Sequence, residues 1–325
     1  MKLKNNLAGC DILSRKINVI AIVGPTASGK TRLSVELAKE LNGEIISADS
    51  MQIYKGMNIA TAKPSKSEMQ GIVHHLIGFL DTCEKFSVAS YVELAHKEIK
   101  SVYDLGKMPF VVGGTGLYVD SLLNNVKFVD NSSDNFVRGK YEKLLNEKGI
   151  DFLLEMLKNI DLESYNNLSS QKNAKRIIRA LEFYEVTGTT ITEQNQKSRQ
   201  ESPYNCLKIG LTCKNRENLY ERINRRVDLM LEQGLLEEAE AVLKSDLSET
   251  AQKAIGYKEL KPYFNGELPL SDCIEQLKMN TRRYAKRQLT WFRRDENINW
   301  LFIDEYGSFE ELYMQSLNLI KSKDF

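Results

Sequence analysis

A chain of 325 residues, 42% hydrophobic and 27% charged, has the composition of a globular protein large enough for a sizeable core and more than one domain. Its 45 basic and 44 acidic residues leave a formal charge of +1, so overall charge neither demands nor excludes a nucleic-acid partner. No apolar run reaches the roughly 18 residues of a membrane span, and Asp11, Arg15 and Lys16 interrupt the N-terminal apolar pieces, so neither a membrane segment nor a signal-peptide core is expected. A cytoplasmic location follows as the default. The cysteines, Cys10, Cys83, Cys206, Cys213 and Cys273, include no C-x-x-C pair, so neither a disulfide framework nor a zinc site is expected.

In chain order, Ile17–Val23 reads as a buried strand. It leads into Gly24-Pro25-Thr26-Ala27-Ser28-Gly29-Lys30-Thr31, which fits the phosphate-cradling pattern G-x-x-x-x-G-K-[ST]. Glycines there let backbone N–H groups converge on phosphate oxygens, Lys30 supplies a point charge and the Thr31 hydroxyl can ligate Mg²⁺. A helix with Leu33, Leu37 and Leu41 on one face follows, then a second strand at Glu44–Ser47 that ends in Asp49-Ser50, a helix over Val88–Tyr103 and a strand at Pro109–Val112. This alternation predicts an α/β fold with a parallel, doubly wound sheet, whose ligands bind at the carboxyl ends of the strands. The loops Gly24–Thr31, Asp49–Gln52 and Gly113–Gly116 should therefore meet. Asp49 reads either as a metal-holding or general-base carboxylate or as a turn residue, and Gly113–Gly116 as a ligand loop or a tight turn. His74 and His75 read as polar lining with a structural role.

Beyond about Asp120 the pattern turns helical, with segments near Phe136–Glu147, Asp151–Lys158 and Lys172–Val186, the last stopped by Gly188. The expected division is a core over 1–120, an all-α insertion over 121–200 and a second part of the core over 201–325. Leu207–Leu211 returns to the sheet. Arg216–Lys244 reads as one amphipathic helix with Leu219, Ile223, Val227, Met230 and Leu231 on its apolar face and Arg222, Arg225 and Arg226 opposite. From Gln276 to Arg294 there is no acidic residue, while Lys278, Arg282, Arg283, Lys286, Arg287, Arg293 and Arg294 are cationic. On a helix those charges stack at i, i+4, which costs stability unless an anion lies against them. The choice is between a polyanionic partner and a solvated face paired with acidic segments such as Glu232 to Glu240. The tail beyond Phe302 is weakly helical.

Six blocks now stand in order: GPTASGKT from Gly24, DSMQIYKGMNIATAKP from Asp49, His74-His75-Leu76, GGTGLY from Gly113, AIGYKE from Ala254 and TRRYAKRQLTWFR from Thr281. Together they resemble the bacterial tRNA dimethylallyltransferases (tRNA isopentenyltransferases) over about Ile17 to Leu301. The sequence departs from that family's pattern at Asn58 and Ala60, where Asp and Gly are usual, and around Gly78-Phe79-Leu80.

The resemblance implies a P-loop NTPase-like fold with an all-α insertion. The implied reaction moves a dimethylallyl group from dimethylallyl diphosphate to N6 of adenine-37 in tRNAs that read codons beginning with U. The loop at Gly24–Thr31 would then hold a diphosphate leaving group. Asp49 matches the family's base, and Arg226 its active-site arginine beside Lys30, Thr31 and Mg²⁺, with Asp49 reaching the metal through water. Implied tRNA contacts are Asp49, Ser50, Met51, Gln52, Thr115, Arg138, Lys172, Asn173, Ala174, Lys175, Arg176, Lys253, Ala254, Ile255, Gly256, Tyr257 and Lys258. On the basic segment they are Thr281, Arg282, Arg283, Tyr284, Ala285, Lys286, Arg287 and Gln288, and the helical insertion would clamp the anticodon stem of a monomeric enzyme. Rival readings are an adenylate isopentenyltransferase acting on free AMP, ADP or ATP, a small-molecule kinase and an RNA-binding ATPase.

Overall fold

A computed structural model describes residues 16–128, 134–198 and 201–323. The chain runs through β1 (Ile17–Val23), α1 (Lys30–Glu40), β2 (Gly43–Ser47), the one-turn α2 (Lys66–Met69), the short β3 (His74–His75), α3 (Val88–Asp104), β4 (Met108–Gly113) and α4 (Gly116–Leu123). Five helices follow without a strand between them: α5 (Asn135–Lys148), α6 (Ile150–Ile160), α7 (Leu162–Ser169), α8 (Ala174–Thr187) and α9 (Ile191–Ser198). The remainder is β5 (Tyr204–Thr212), α10 (Arg216–Glu232), α11 (Leu235–Leu243), α12 (Tyr257–Phe264), α13 (Leu270–Phe292), β6 (Ile298–Phe302) and α14 (Phe309–Lys321).

The strands form one parallel sheet in the order β3-β2-β4-β1-β5-β6. Successive side chains on a strand point to opposite faces, and helices cover both faces, so the central strands must be apolar at every position. Val19, Ala21, Val23, Ile46 and Val111 pack on one side against Tyr91, Ile99, Val119 and Leu122 of α3 and α4. Ile20, Ile22, Ile45, Phe110 and Ile209 pack on the other against Leu33, Leu37, Leu317 and Ile320 of α1 and α14. Each such side chain removed from water contributes about 1.5–3 kcal/mol, and this core fixes the carboxyl ends of β1, β4 and β2 side by side. A third apolar cluster joins Ile53, Tyr54 and Met57 to Val227, Leu235, Tyr257 and Leu277 of α10 to α13.

The chain divides into two compact units, Met1–Leu123 with Pro203–Phe325, and Asn124–Ser202. In the second unit Tyr141, Leu153, Leu157, Ile177 and Leu181 form the core, Asp134, Asp161 and Asn173 cap helix N-termini, and Gly188 ends α8 in a left-handed conformation. Fully buried Glu182 accepts Arg138 at 2.8 Å and the Asp134 N–H at 3.0 Å.

Two expectations change. Arg216–Lys244 is not one helix: it breaks into α10 and α11 at Gly234, whose φ of 96° is a left-handed turn that a side chain would resist. His74 and His75 have the expected structural role but do not line the cavity described below. His75 is held between carboxylates, Nε2 at 2.6 Å from Glu44 and Nδ1 at 2.8 Å from Glu98, and His74 Nδ1 lies 2.9 Å from the Ile72 carbonyl. Cys83, Cys206, Cys213 and Cys273 are free thiols, while Cys10, Asp11 and Arg15 lie outside the described residues. Among the described residues no cluster of three or more His, Cys, Asp or Glu side chains is placed to hold a metal, and no helix is long and apolar enough to cross a membrane.

Candidate active site

The loop after β1 turns through Ala27 (φ 62°) and Gly29 (φ 86°) before α1 begins. Gly29 caps α1 without a side-chain hydrogen bond, so the first N–H groups of the helix, with the positive end of its dipole, remain available to an anion. Ser28 Oγ is buried with no hydrogen-bond partner among the described residues, an orphaned donor within this cradle.

Positive charge is concentrated here beyond what the fold itself neutralises. Lys30 Nζ donates to the Pro25 carbonyl at 2.7 Å. Burial and the neighbouring Arg226 push Lys30 down to about 7, against an opposing pull from Asp49. Arg226 reaches Thr26 Oγ1 at 3.4 Å and is pressed down from its ordinary value by burial, while Arg222 Nε donates to the Ala27 carbonyl at 2.9 Å. Two half-buried cations facing one pocket are costly unless an anion joins them. Arg226 thus sits on the pocket side of α10, beside Ile223 and Val227, rather than on the face opposite the apolar stripe. Arg225 and Arg222 are both exposed, Arg222 with its Nε held on the Ala27 carbonyl.

Asp49, just past β2, lines the same pocket. Its Oδ1 accepts the Met51 and Gln52 N–H groups at 2.8 and 3.2 Å, and Oδ2 makes no hydrogen bond among the described residues. One oxygen is therefore pinned by the turn and the other is available for chemistry. Gln52 Nε2 donates to the Thr61 and Ala62 carbonyls, folding the 60–62 stretch over the pocket. Thr115 Oγ1 accepts the Ser50 N–H at 3.1 Å, which links the loop after β4 to the loop after β2.

These loops surround a cavity of about 260 Å³. Thr26, Lys30, Thr31, Asp49, Ser50, Met51, Gln52, Gly113 and Gly114 line one side. Arg226, Lys253, Ala254, Ile255, Gly256, Lys258, Thr281, Tyr284, Arg287 and Gln288 line the other. Burial and Asp49 raise the Tyr284 phenol above its ordinary range, against an opposing pull from the polar groups of Thr115 and Gln288 nearby.

Other expected site residues lie elsewhere. Tyr257 is buried against Glu238, Ala285 packs on Ile223 and Leu219, and Arg282 donates to Asn224 Oδ1 at 2.6 Å. Arg283 and Lys286 are exposed. Arg138, Lys172, Asn173, Ala174, Lys175 and Arg176 belong to the second unit, where Lys172 pairs with Asp151 at 2.7 Å and Asn173 caps α8. Sequence reasoning missed the apolar end of the cavity, where Ile223, Val227, Met230, Leu235 and Leu277 meet. Its only signal was the apolar stripe of α10. The acidic Glu232–Glu240 stretch pairs with no residue of α13 among the described residues; Lys278 pairs instead with Asp228 at 2.8 Å.

The sequence pattern of the IPP transferase family matches residues 52–295, and that of the isopentenyl transferases matches 17–80. The chain belongs to the IPP transferase family. This IPP transferase is 47% identical over 300 residues to a tRNA dimethylallyltransferase of Caldanaerobacter subterraneus, covering 91% of this chain and 95% of the relative. It is 46% identical over 309 residues to one of Bacillus cereus, covering 94% and 97%. Its fold superposes on a full-length tRNA isopentenylpyrophosphate transferase from Bacillus halodurans with a TM-score of 0.71 at 44% identity, covering 95% of this chain and 97% of that one. A eukaryotic dimethylallyltransferase acting on tRNA superposes with a TM-score of 0.77 at 29% identity, covering 94% and 80%.

Proposed function

We propose that this enzyme transfers a dimethylallyl group from dimethylallyl diphosphate to tRNA, at N6 of adenine-37 beside the anticodon, in tRNAs that read codons beginning with U. The observation that carries this reading is the pairing, in one cavity, of a cation-rich phosphate cradle with the Asp49 carboxylate. A kinase needs the cradle and can use a base beside it, but gains nothing from apolar lining at Met230 and Leu235.

The chemistry follows from the residues. The adenine amine attacks the allylic carbon, the carbon–oxygen bond to diphosphate breaks, and a proton leaves the nitrogen. Asp49 accepts that proton through the oxygen its turn leaves open. Lys30, Arg226, Ser28 Oγ and the N-terminal amides of α1 stabilise the charge that grows on the departing diphosphate. Being held before reaction, they need no reorganisation as that charge appears. The apolar end takes the prenyl tail.

Mg²⁺ fits the donor set. A hard ion that keeps several waters needs only the Thr31 hydroxyl, diphosphate oxygens and an Asp49 contact through water, rather than an all-protein cage. When bound it neutralises diphosphate charge. Thr31 would hold it at the start of α1.

Adenine must leave its stack to reach Asp49, and an anticodon loop offers unpaired bases that can be splayed out. Tyr284 and Arg287 on α13, and Lys253 and Lys258 before and on α12, line the route such a base would take. The second unit, with Arg138, Lys175 and Arg176, would clamp the anticodon stem. A monomer working in the cytoplasm, where tRNA is met, completes the reading.

The test is to incubate the protein with labelled dimethylallyl diphosphate, Mg²⁺ and an anticodon stem-loop carrying A36-A37, with AMP in a parallel arm. Label on the stem-loop is the expected result. Label on AMP alone, or on neither, overturns the proposal.

A further inference from the structure

Gln288 occupies a position that an RNA-contacting side chain would not need. It is 6% exposed, and both ends of its amide are used inside the protein. Oε1 accepts the Thr26 N–H at 2.9 Å, and Nε2 donates to the Gly114 carbonyl at 2.9 Å. The two partners fix the orientation of the amide, since turning it over would set N–H against N–H and oxygen against oxygen. Gly114 is also required, because a Cβ there would lie 2.2 Å from Nε2.

The placement has a geometric reason. β1 and β4 pair side by side only as far as Val23 and Gly113. Beyond that point the sheet ends and the two ligand loops separate, so nothing in the ladder sets their spacing. The Gln288 amide spans the gap, acting as one more pair of ladder hydrogen bonds supplied from α13. Tyr284, one turn earlier on the same helix, lines the same cavity.

We propose that Gln288 is a positioning residue that holds the Gly24–Thr31 loop in its anion-receptive shape by tying it to the Gly113–Gly116 loop. Its role is with the diphosphate, not as the RNA contact the family resemblance implies. Because it lies on α13 beside Arg287, whose side chain also faces the cavity, the strut makes the phosphate cradle and the nucleic-acid wall one mechanical piece.

Gln288→Glu tests this through its protonation. A protonated carboxyl reproduces the strut, its carbonyl accepting from Thr26 and its O–H donating to Gly114. Once ionised it has only acceptors and faces the Gly114 carbonyl unfavourably. Lys30, Arg226, Asp49, Tyr284 and Arg287 share the cavity, so each measurement is taken as a ratio to wild type at the same pH. Binding of inorganic pyrophosphate is measured by calorimetry, and binding of a stem-loop RNA by fluorescence anisotropy.

At about pH 8 the Gln288→Glu protein is expected to bind pyrophosphate roughly 10- to 100-fold more weakly than wild type, the cost of a lost buried hydrogen bond. The ratio should recover as pH falls through the ordinary glutamate range to about 4 and below, as the carboxyl takes up its proton, with stem-loop binding within about twofold throughout. Gln288→Met, of similar size and unable to make either bond, should lose pyrophosphate affinity at every pH. It carries the test by itself if the glutamate protein does not fold. Wild-type pyrophosphate affinity in the variants, a pH-independent loss in Gln288→Glu, or a loss confined to RNA overturns the proposal. The inference rests on the loop being a diphosphate cradle: wild-type protein that binds no pyrophosphate would sink that reading, whereas an indifferent variant sinks only the role of Gln288.

Discussion

Tyr257 donates its hydroxyl hydrogen to Glu238 Oε1 at 2.8 Å, and the same carboxylate accepts the N–H groups of Asn58, Ile59 and Ala60 at 2.8 to 3.0 Å. A side chain of α11 thereby replaces the hydrogen bonds that a loop without regular structure cannot make for itself. That loop carries Ala60, Thr61 and Ala62 into the cavity wall. Glu238→Ala is expected to cost roughly 1–3 kcal/mol of stability, the penalty for leaving such groups unpaired. It should also raise KM more than it lowers kcat. Thermal unfolding and steady-state kinetics check both, and an unchanged KM would show that the loop holds its shape without the clamp.

Asp49→Ala removes the proton acceptor while leaving the phosphate cradle and α13 in place. Turnover should fall by about 10²–10⁴, the usual contribution of a positioned base. Stem-loop binding should be largely retained. Single-turnover transfer and anisotropy separate the two, and near wild-type transfer would assign the base elsewhere.

Arg283, Lys286 and Arg287 are the exposed cations of α13, the last also lining the cavity, whereas Lys278 and Arg282 are anchored on Asp228 and Asn224 of α10. Replacing Arg283 and Lys286 together by alanine should weaken stem-loop binding. It should also reduce the slope of log affinity against log salt by roughly 1.5, about 0.7–0.9 for each phosphate no longer neutralised. Arg282→Ala should change that slope less, because its charge already serves packing between helices.

The carboxyl of Glu44 is pushed up by burial, but hydrogen bonds from Lys107 and His75, each at 2.6 Å, outweigh burial and hold it below the usual value. A carboxylate lowered on folding adds stability above its unfolded value of 4.5, and that stability is lost as pH falls through the folded value. Glu44→Gln should therefore be destabilised at neutral pH, with the deficit shrinking as the buffer is taken below about pH 4. Chemical denaturation across that range gives the curve, and a constant deficit would contradict it.

How much of this was legible in the sequence depended on distance along the chain. The loop from Gly24 to Thr31 could be read because strand, turn and helix follow one another without interruption, and each leaves a local pattern. The meeting of three loops could be read from the strand–helix alternation. The apolar stripe of α10 was visible as well, but not its division between core and cavity, since both ask for the same residues. The break at Gly234 was passed over because the apolar and acidic pattern continues on both sides of it. Gln288 and Glu238 were beyond reach for another reason. Their partners lie 262 and about 180 residues away, and a hydrogen bond of that span leaves no trace in spacing or composition. Glu238 looked like one more charge in an acidic stretch.

β1 lies at the middle of the sheet, yet one of its two neighbours is β5, which follows only after the whole helical unit. During synthesis at about 5–20 residues per second, the stretch from Val23 to Tyr204 takes on the order of ten to forty seconds to emerge. For that time the nascent half-sheet presents the bare edge of a strand destined to be wholly buried, the kind of edge that invites pairing with another chain. Early docking of α1 and α3 would shield its faces but not that edge. A ribosome-bound chaperone, or rapid closure of the helical unit that shortens the loop to be spanned, has its greatest effect in this interval.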